Sequence, residues 1–426
     1  MWIRLLLYAC ILPPIAVALG LLKRSHAVSG IAIGVAVCLA AWLWPRTRTI
    51  ITACYRRSRL LRAVDALLWN LALVLIAGEA ALRIASRVSN HPLFASPSAS
   101  AQTRIDRERQ QLRAFYGAAG VNARSYNDTD WSAEPDDAFR IVALGDSFAF
   151  GVVGYQHNFL TLLESDLSAR LGRPVEVANL GLPSMQPNDY LQILLDDGLA
   201  LQPDLILLCL YTGNDFQPAA SASPLDASNW RVVGFATRLV RYAAEREFRA
   251  STAAPAGAPQ SGASAPAFSE DGYLGIAAAY VPLLRRERPA RLDRAMRETL
   301  AVADEIVRRA APTPVAIAVL PSEFQVSPPL RDRVLARAGL GEADLDLERP
   351  ARETHAHFAP REIPVIDLLA AFTAAEAEES TYAPRNTHWN ERGNAVAARA
   401  LAEALAPIVR ERLHAAPGPT EAPENH

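Results

Sequence analysis

The chain has 426 residues; half are hydrophobic and 7% are Phe, Trp or Tyr. That composition excludes a mainly disordered chain, and at about 100–200 residues per domain the length allows two or three units. A net charge of −2, from 43 basic and 45 acidic residues, excludes a strongly basic nucleic-acid binder.

The charge is unevenly spread. Residues 1–90 carry 11 basic and 2 acidic residues, so a head of net +9 precedes a body of net −11. In the head, Leu5–Leu22 and Ala27–Pro45 are uncharged runs of 18 and 19 residues. Each reaches the roughly 17–25 residues that cross a bilayer. Pro13 and Pro14 would kink the first. Ala66–Leu82 is a third candidate, interrupted by Asn70 and Glu79. A helix there sets Glu79 beside Arg83, four residues on.

Between the second and third runs stand Arg46, Arg48, Arg56, Arg57, Arg59 and Arg62. The positive-inside rule places them in the cytoplasm. Residues 1–88 then read as a membrane anchor of about three transmembrane helices, with everything after them outside. In a Gram-negative cell the anchor lies in the inner membrane and the body is periplasmic. Hydrophobic runs that continue past residue 30 argue against a cleaved signal peptide. Cys10, Cys38 and Cys54 lie in or beside these segments. Cys209 alone belongs to the body, where it reads as a small buried hydrophobe and leaves no cysteine-based metal site.

Residues 89–138 are polar and read as a linker and lead-in segment. Short apolar runs follow: Arg140–Leu144, Val175–Leu180, Leu205–Leu210, Val315–Leu320 and Pro364–Leu368. Runs of this length bounded by turn residues predict buried strands. Stretches with helical spacing lie between them, at 156–171, 188–199, 290–310 and 391–411. The alternation predicts an α/β fold, a five-stranded parallel sheet covered on both faces. Sites in such sheets form at the carboxyl ends of strands. The domain is expected over 139–412. A stretch rich in Ala, Ser, Pro and Gly over 217–268 predicts an insertion with a flexible part, placed at about 217–285, and residues 413–426 read as a disordered tail.

The chemistry-bearing residues stand at strand ends. The first strand ends in Leu144-Gly145-Asp146-Ser147-Phe148, the second in Asn179-Leu180-Gly181, and the third in Tyr211-Thr212-Gly213-Asn214-Asp215. Asn386-Thr387-His388-Trp389-Asn390 precedes the last helix. A serine between a strand and a helix can meet free backbone N–H groups able to hold an oxyanion. Each block alone has an ordinary structural explanation as a cap, a turn or a core residue. The four in this order do not.

In these blocks the sequence resembles the SGNH, or GDSL, hydrolase superfamily, over about residues 120–410. It is most similar to membrane-anchored bacterial members that handle acetyl groups on exported polysaccharides, alginate acetylation proteins among them. The resemblance implies a flavodoxin-like three-layer sandwich. It implies Ser147 as nucleophile and His388 as base and then acid. The Ser147 and Gly181 N–H groups and the Asn214 side chain would form the oxyanion hole. It calls for no metal or organic cofactor.

Two residues depart from the family pattern. Thr212 stands where the family has a Gly. More importantly, the family has an Asp two or three residues before the His, and here those places hold Asn386 and Arg385. An Asn386 carbonyl can still accept the imidazole proton, without a full negative charge. A Ser-His dyad or a weakened enzyme is therefore expected.

Other residues read as structural. His355 and His357, two apart, do not share a helix face and make no metal site. Asp367 reads as a loop cap, Asp215 as a cap for the turn presenting Asn214, Trp389 as core, and His157 as exposed.

The leading expectation is an extracytoplasmic serine esterase or O-acyltransferase acting on acyl, above all acetyl, esters of cell-envelope or exported carbohydrate. A membrane acyltransferase partner follows by family analogy alone. Asn386 motivates a second reading, a module that binds polysaccharide without turnover. A third is a lipid esterase at the membrane surface, with an apolar groove built from residues 217–285.

Overall fold

A computed structural model of the chain describes residues 4, 24–88, 101–117, 120–131, 138–217 and 266–415. The chain divides into an N-terminal unit and a body.

In the N-terminal unit the described helices are Arg24–Leu43, Pro45–Arg57 and Arg59–Val88. Extended backbone at Trp44 and Ser58 separates them. Among the described residues one helix, Arg59–Ala85, is long and apolar enough to cross a membrane, and Ile33–Leu43 is apolar but shorter. The run Leu5–Leu22 lies outside the described residues. Glu79 and Arg83 meet at 2.8 Å, as their spacing predicts. Asp65, near the start of the long helix, accepts from Arg4 at 2.8 Å and from the Tyr55 hydroxyl at 2.6 Å.

The body is built on five parallel strands: β1 (Phe139–Leu144), β2 (Val175–Asn179), β3 (Leu205–Tyr211), β4 (Val315–Leu320) and β5 (Val365–Asp367). Their order is β2-β1-β3-β4-β5. Ile141 pairs with Val177 on one side and Leu205 on the other. Every residue of β1, β3 and β4 is buried, which explains their apolar runs, broken only by Arg140 in β1. Period-two alternation divides them between two cores. Ile141 and Ala143 face helices Phe159–Leu171, Leu369–Glu378 and Glu391–Ala415. Val142 and Leu144 face helices Ala101–Tyr116, Pro187–Ile193 and Ala290–Ala310. The result is the expected three-layer α/β sandwich.

Three boundaries differ from the sequence reading. Within the supposed linker, Ala101–Tyr116 is a helix that packs on the body through Ile105 and Leu112. Arg104 bonds to Asp189 on the neighbouring helix at 3.0 Å through Nε. Two buried apolar positions on a polar helix leave almost no periodic signal, and the ion pairs do the rest. At the other end of the expected insertion, Glu270–Leu284 is a helix packed through Tyr273, Leu274 and Val281 against Leu330 and Val334. The low-complexity composition stops short of it. Residues 218–265 lie outside the described residues. The last helix runs to Ala415, slightly into the expected tail.

Candidate active site

The strand order turns back between β1 and β3, so their carboxyl ends open the crevice where ligands bind in such sheets. Ser147 follows β1 and Asn214 follows β3.

After β1 the chain enters a single helical turn, Ser147–Phe150, capped by Asp146. Asp146 Oδ1 accepts from the Phe148 N–H at 2.8 Å, the ordinary work of an N-cap. Its second oxygen accepts from Asn214 Nδ2 at 2.8 Å, which ties the serine turn to the β3 loop. Asp146 is 2% exposed, and burial pushes its carboxyl up to about 6 against those two N–H bonds.

A four-residue helix leaves its terminal carbonyls unpaired. Three asparagine side chains fill that gap. Asn158 Nδ2 reaches the carbonyls of Ala149 and Phe150, each at 3.0 Å. Asn179 Nδ2 reaches Ala149 at 2.8 Å, and Asn127 Nδ2 reaches Phe150 at 2.7 Å. Asp128, beside Asn127, accepts from the Asn179 backbone N–H at 2.8 Å. Part of the supposed linker thus braces the serine. Sequence reasoning missed these residues, because a polar loop residue ahead of the first strand gives no sign of what it reaches.

His388 arrives from the C-terminal end. It lies on a loop closed by bridging of Tyr382 with Trp389 and by the bond from Ala383 N–H to the His388 carbonyl, 3.0 Å. Trp389 is core, stacked on Phe372 with centroids 4.6 Å apart. This anchorage turns the imidazole toward the serine. His388 Nε2 is 2.7 Å from Ser147 Oγ, across 241 residues of sequence. On the other side His388 Nδ1 is 2.8 Å from Asn386 Oδ1. The His388 backbone N–H donates to the same oxygen at 3.2 Å. Two donors facing Asn386 Oδ1 set its amide with the oxygen toward the ring. Nδ1 then carries the proton and Nε2 offers its lone pair to the serine hydroxyl. Burial lowers the imidazole to about 4.

The donors expected to hold an oxyanion are less uniform. The Ser147 N–H belongs to the first helical turn and has no intrahelical acceptor. Asn214 Nδ2 keeps one N–H beyond the bond to Asp146, and Asn214 Oδ1 is buried without a hydrogen-bond partner. The Gly181 N–H, however, already donates to Asn179 Oδ1 at 2.9 Å. Gly181 is required sterically, since a Cβ there would lie 2.5 Å from Ala149 Cβ and from the Phe150 nitrogen.

The remaining candidates fall into place as structure. Asp215 accepts from the Tyr211 N–H at 2.7 Å and the Tyr190 hydroxyl at 2.8 Å, and so closes the turn that presents Asn214. Thr212, in the place of the family Gly, bonds to Gln325 Oε1 at 2.6 Å. Asp367 accepts from the Leu369 N–H at 2.9 Å. His357 pairs with Asp304 at 2.9 Å. His157 is 42% exposed in its side chain. Cys209 is buried. Among the described residues no group of His, Cys, Asp and Glu could hold a metal ion.

Residues 322–421 match a family model described as SGNH hydrolase-like domain, acetyltransferase AlgX. Over those residues the chain is similar to an SGNH hydrolase-like domain of the AlgX type. The match includes the loop with Asn386 and His388 and stops short of the blocks with Ser147, Gly181 and Asn214. No curated protein matches the chain. Solved structures similar to it include a lipase/acylhydrolase from Enterococcus faecalis, at 14% identity, covering 63% of this chain and 96% of that one, with a TM-score of 0.35. A G-D-S-L family lipolytic protein from Desulfitobacterium hafniense is 14% identical, covering 63% and 99%, with a TM-score of 0.34. A catalytic mutant of an acetylxylan esterase from Geobacillus stearothermophilus is 12% identical, covering 62% and 93%, with a TM-score of 0.34. Likeness at that level says nothing of this chain's substrate.

Proposed function

We propose that this chain is an extracytoplasmic serine esterase or O-acyltransferase that works through an acyl-Ser147 intermediate on acetyl esters of cell-envelope or exported carbohydrate. The observation that carries it is the 2.7 Å approach of His388 Nε2 to Ser147 Oγ. A serine hydroxyl is a poor nucleophile until a base takes its proton, and this imidazole is held in the tautomer that can do so.

The steps follow from the geometry. Ser147 Oγ attacks the ester carbonyl carbon while its proton passes to His388 Nε2. The carbonyl oxygen becomes an oxyanion beside the Ser147 N–H and the second Asn214 N–H. Collapse expels the alcohol, which leaves with the proton from Nε2. Water or a sugar hydroxyl then gives its proton to Nε2 and takes the acyl group, and the proton returns to Ser147. Hydrolysis and transfer share every residue and differ in the acceptor.

The match to a family described as an acetyltransferase supports acetyl as the acyl group. The helix Arg59–Ala85 and the arginines around its start support a body held outside the inner membrane. A second reading, a polysaccharide-binding module without turnover, is favoured by Asn386, which leaves the imidazolium with no counter-charge.

A fluorophosphonate probe applied to the full chain tests the proposal. Labelling that is lost in Ser147→Ala, with release of acetate from acetylated sugars, is the expected result. An unlabelled wild-type chain that still binds polysaccharide would leave the second reading standing.

A further inference from the structure

The ring of Phe148 lies against the imidazole of His388, with centroids 5.0 Å apart and planes 33° from each other. Phe148 is 2% exposed and cannot turn away. Tyr211 stacks on it with centroids 4.0 Å apart, and Trp389 meets it edge-on at 5.0 Å. The imidazole must become a cation each time the serine gives up its proton. An aromatic face within about 6 Å attracts a cation through its quadrupole.

What else faces that cation is little. Asn386 offers a carbonyl dipole, and the Thr387 hydroxyl lies 3.3 Å from Nδ1. The charged groups of the surrounding elements are otherwise engaged. Asp146, on the serine turn, is bonded to Phe148 and Asn214, and Asp215, on the β3 loop, to Tyr211 and Tyr190. Arg385, on the histidine loop, faces Glu270 at 3.9 Å. Among the described residues no carboxylate forms an ion pair with His388.

We propose that Phe148 is a positioning residue for the reaction, its ring face holding the His388 imidazolium in place of the carboxylate that Asn386 has displaced. This rests on the Ser147–His388 reading above. In a chain with an acid at 386 the ring would be redundant; with Asn386 the ring adds to the carbonyl dipole and the Thr387 hydroxyl what a full negative charge would otherwise supply.

The test is a double-mutant cycle in the full chain, read by the rate of fluorophosphonate labelling across pH. Phe148→Leu removes the ring, and Phe148→Met removes it while filling more of its volume. Both should slow the high-pH plateau about 3- to 10-fold. Both should also move the acid limb down by about half a pH unit, because the cation has lost its support. In the Asn386→Asp background the same changes should cost less than about twofold. Equal losses in both backgrounds, or a lower plateau with an unmoved limb, would overturn the proposal, since a purely packing role predicts them.

A second readout separates failure of this inference from failure of the serine reading. The pH dependence of diethylpyrocarbonate modification at the His388 peptide needs no reactive serine. Its midpoint should fall by the same half unit in Phe148→Leu and Phe148→Met. An unmoved midpoint sinks the proposal even if Ser147 labels; a lowered midpoint beside an unreactive Ser147 overturns the serine reading, and with it a part for Phe148 in the reaction, while the support of the ring for the imidazolium stands.

Discussion

Asn386 and His388 meet at a single atom. Asn386 Oδ1 receives both the imidazole Nδ1–H, at 2.8 Å, and the backbone N–H of the same histidine, at 3.2 Å. In a Ser-His-Asp protease the Asp-to-Asn change costs about 10⁴ in rate because it favours the wrong tautomer. The backbone N–H removes that defect here by fixing which end of the amide faces the ring. What stays missing is the negative charge.

Asn386→Asp should restore it. Labelling of Ser147 is expected to rise at least tenfold, and the acid limb should move to higher pH, since a carboxylate favours the charged imidazole. Asn386→Leu should lose at least tenfold, because Nδ1 then has no acceptor. Stopped-flow or gel-based labelling rates check both.

The pH profile of the wild type has a defined sign. Burial lowers His388 from its ordinary value to about 4, so the neutral, basic form persists in mild acid. Labelling should hold as pH falls through about 6.5 and be lost only below it, toward 4. A midpoint at or above 6.5 would show that the ring is not desolvated.

Asn214→Ala removes an oxyanion donor and should lower turnover of an aryl acetate by about 10²–10³ with little change in KM. Asp146→Ser is a finer probe. Serine keeps the cap on Phe148 but loses the second oxygen that holds Asn214 Nδ2. A kcat lowered about tenfold, with the thermal midpoint nearly unchanged, is the expected outcome.

Gly181→Ala forces a methyl group to within 2.5 Å of Ala149 Cβ and the Phe150 nitrogen. Overpacking of this kind costs about 1–3 kcal/mol. Thermal unfolding should show it, together with a slower Ser147, because the displaced atoms belong to the serine turn.

Asn127→Ala tests the brace from the lead-in segment. It removes the 2.7 Å bond to the Phe150 carbonyl. A loss of about 1 kcal/mol in stability is expected, with labelling slowed more than an equally destabilising change in the helix Ala290–Ala310 would slow it.

Strands β1, β3 and β4 were legible because each is buried on both faces, and burial writes itself as an apolar run; β5, half-buried at the sheet edge, was legible only from the short run Pro364–Leu368. Ser147, Asn214 and His388 were legible because each follows such a run or precedes a strong helix. Asn127, Asn158 and the second role of Asp146 were not, since each bonds to backbone or side chains far along the chain and leaves no period. The helix Ala101–Tyr116 was hidden for a related reason. Its docking rests on Arg104 and Arg109 meeting Asp189 and Asp197, and polar pairs look like solvent-facing residues until the partners are known. The helix expected at 188–199 also changes character after Ile193, where a wider turn over Leu194–Gly198 brings Asp197 to Arg109, Arg124 and Tyr126.

The 241 positions that separate Ser147 from His388 set an order of events during synthesis. The serine turn and its asparagine braces emerge early, and the loop that bears His388 follows much later. A nascent chain therefore carries its serine turn without the imidazole. The pair forms only once that loop has folded onto the sheet, so the two halves of the site are joined last.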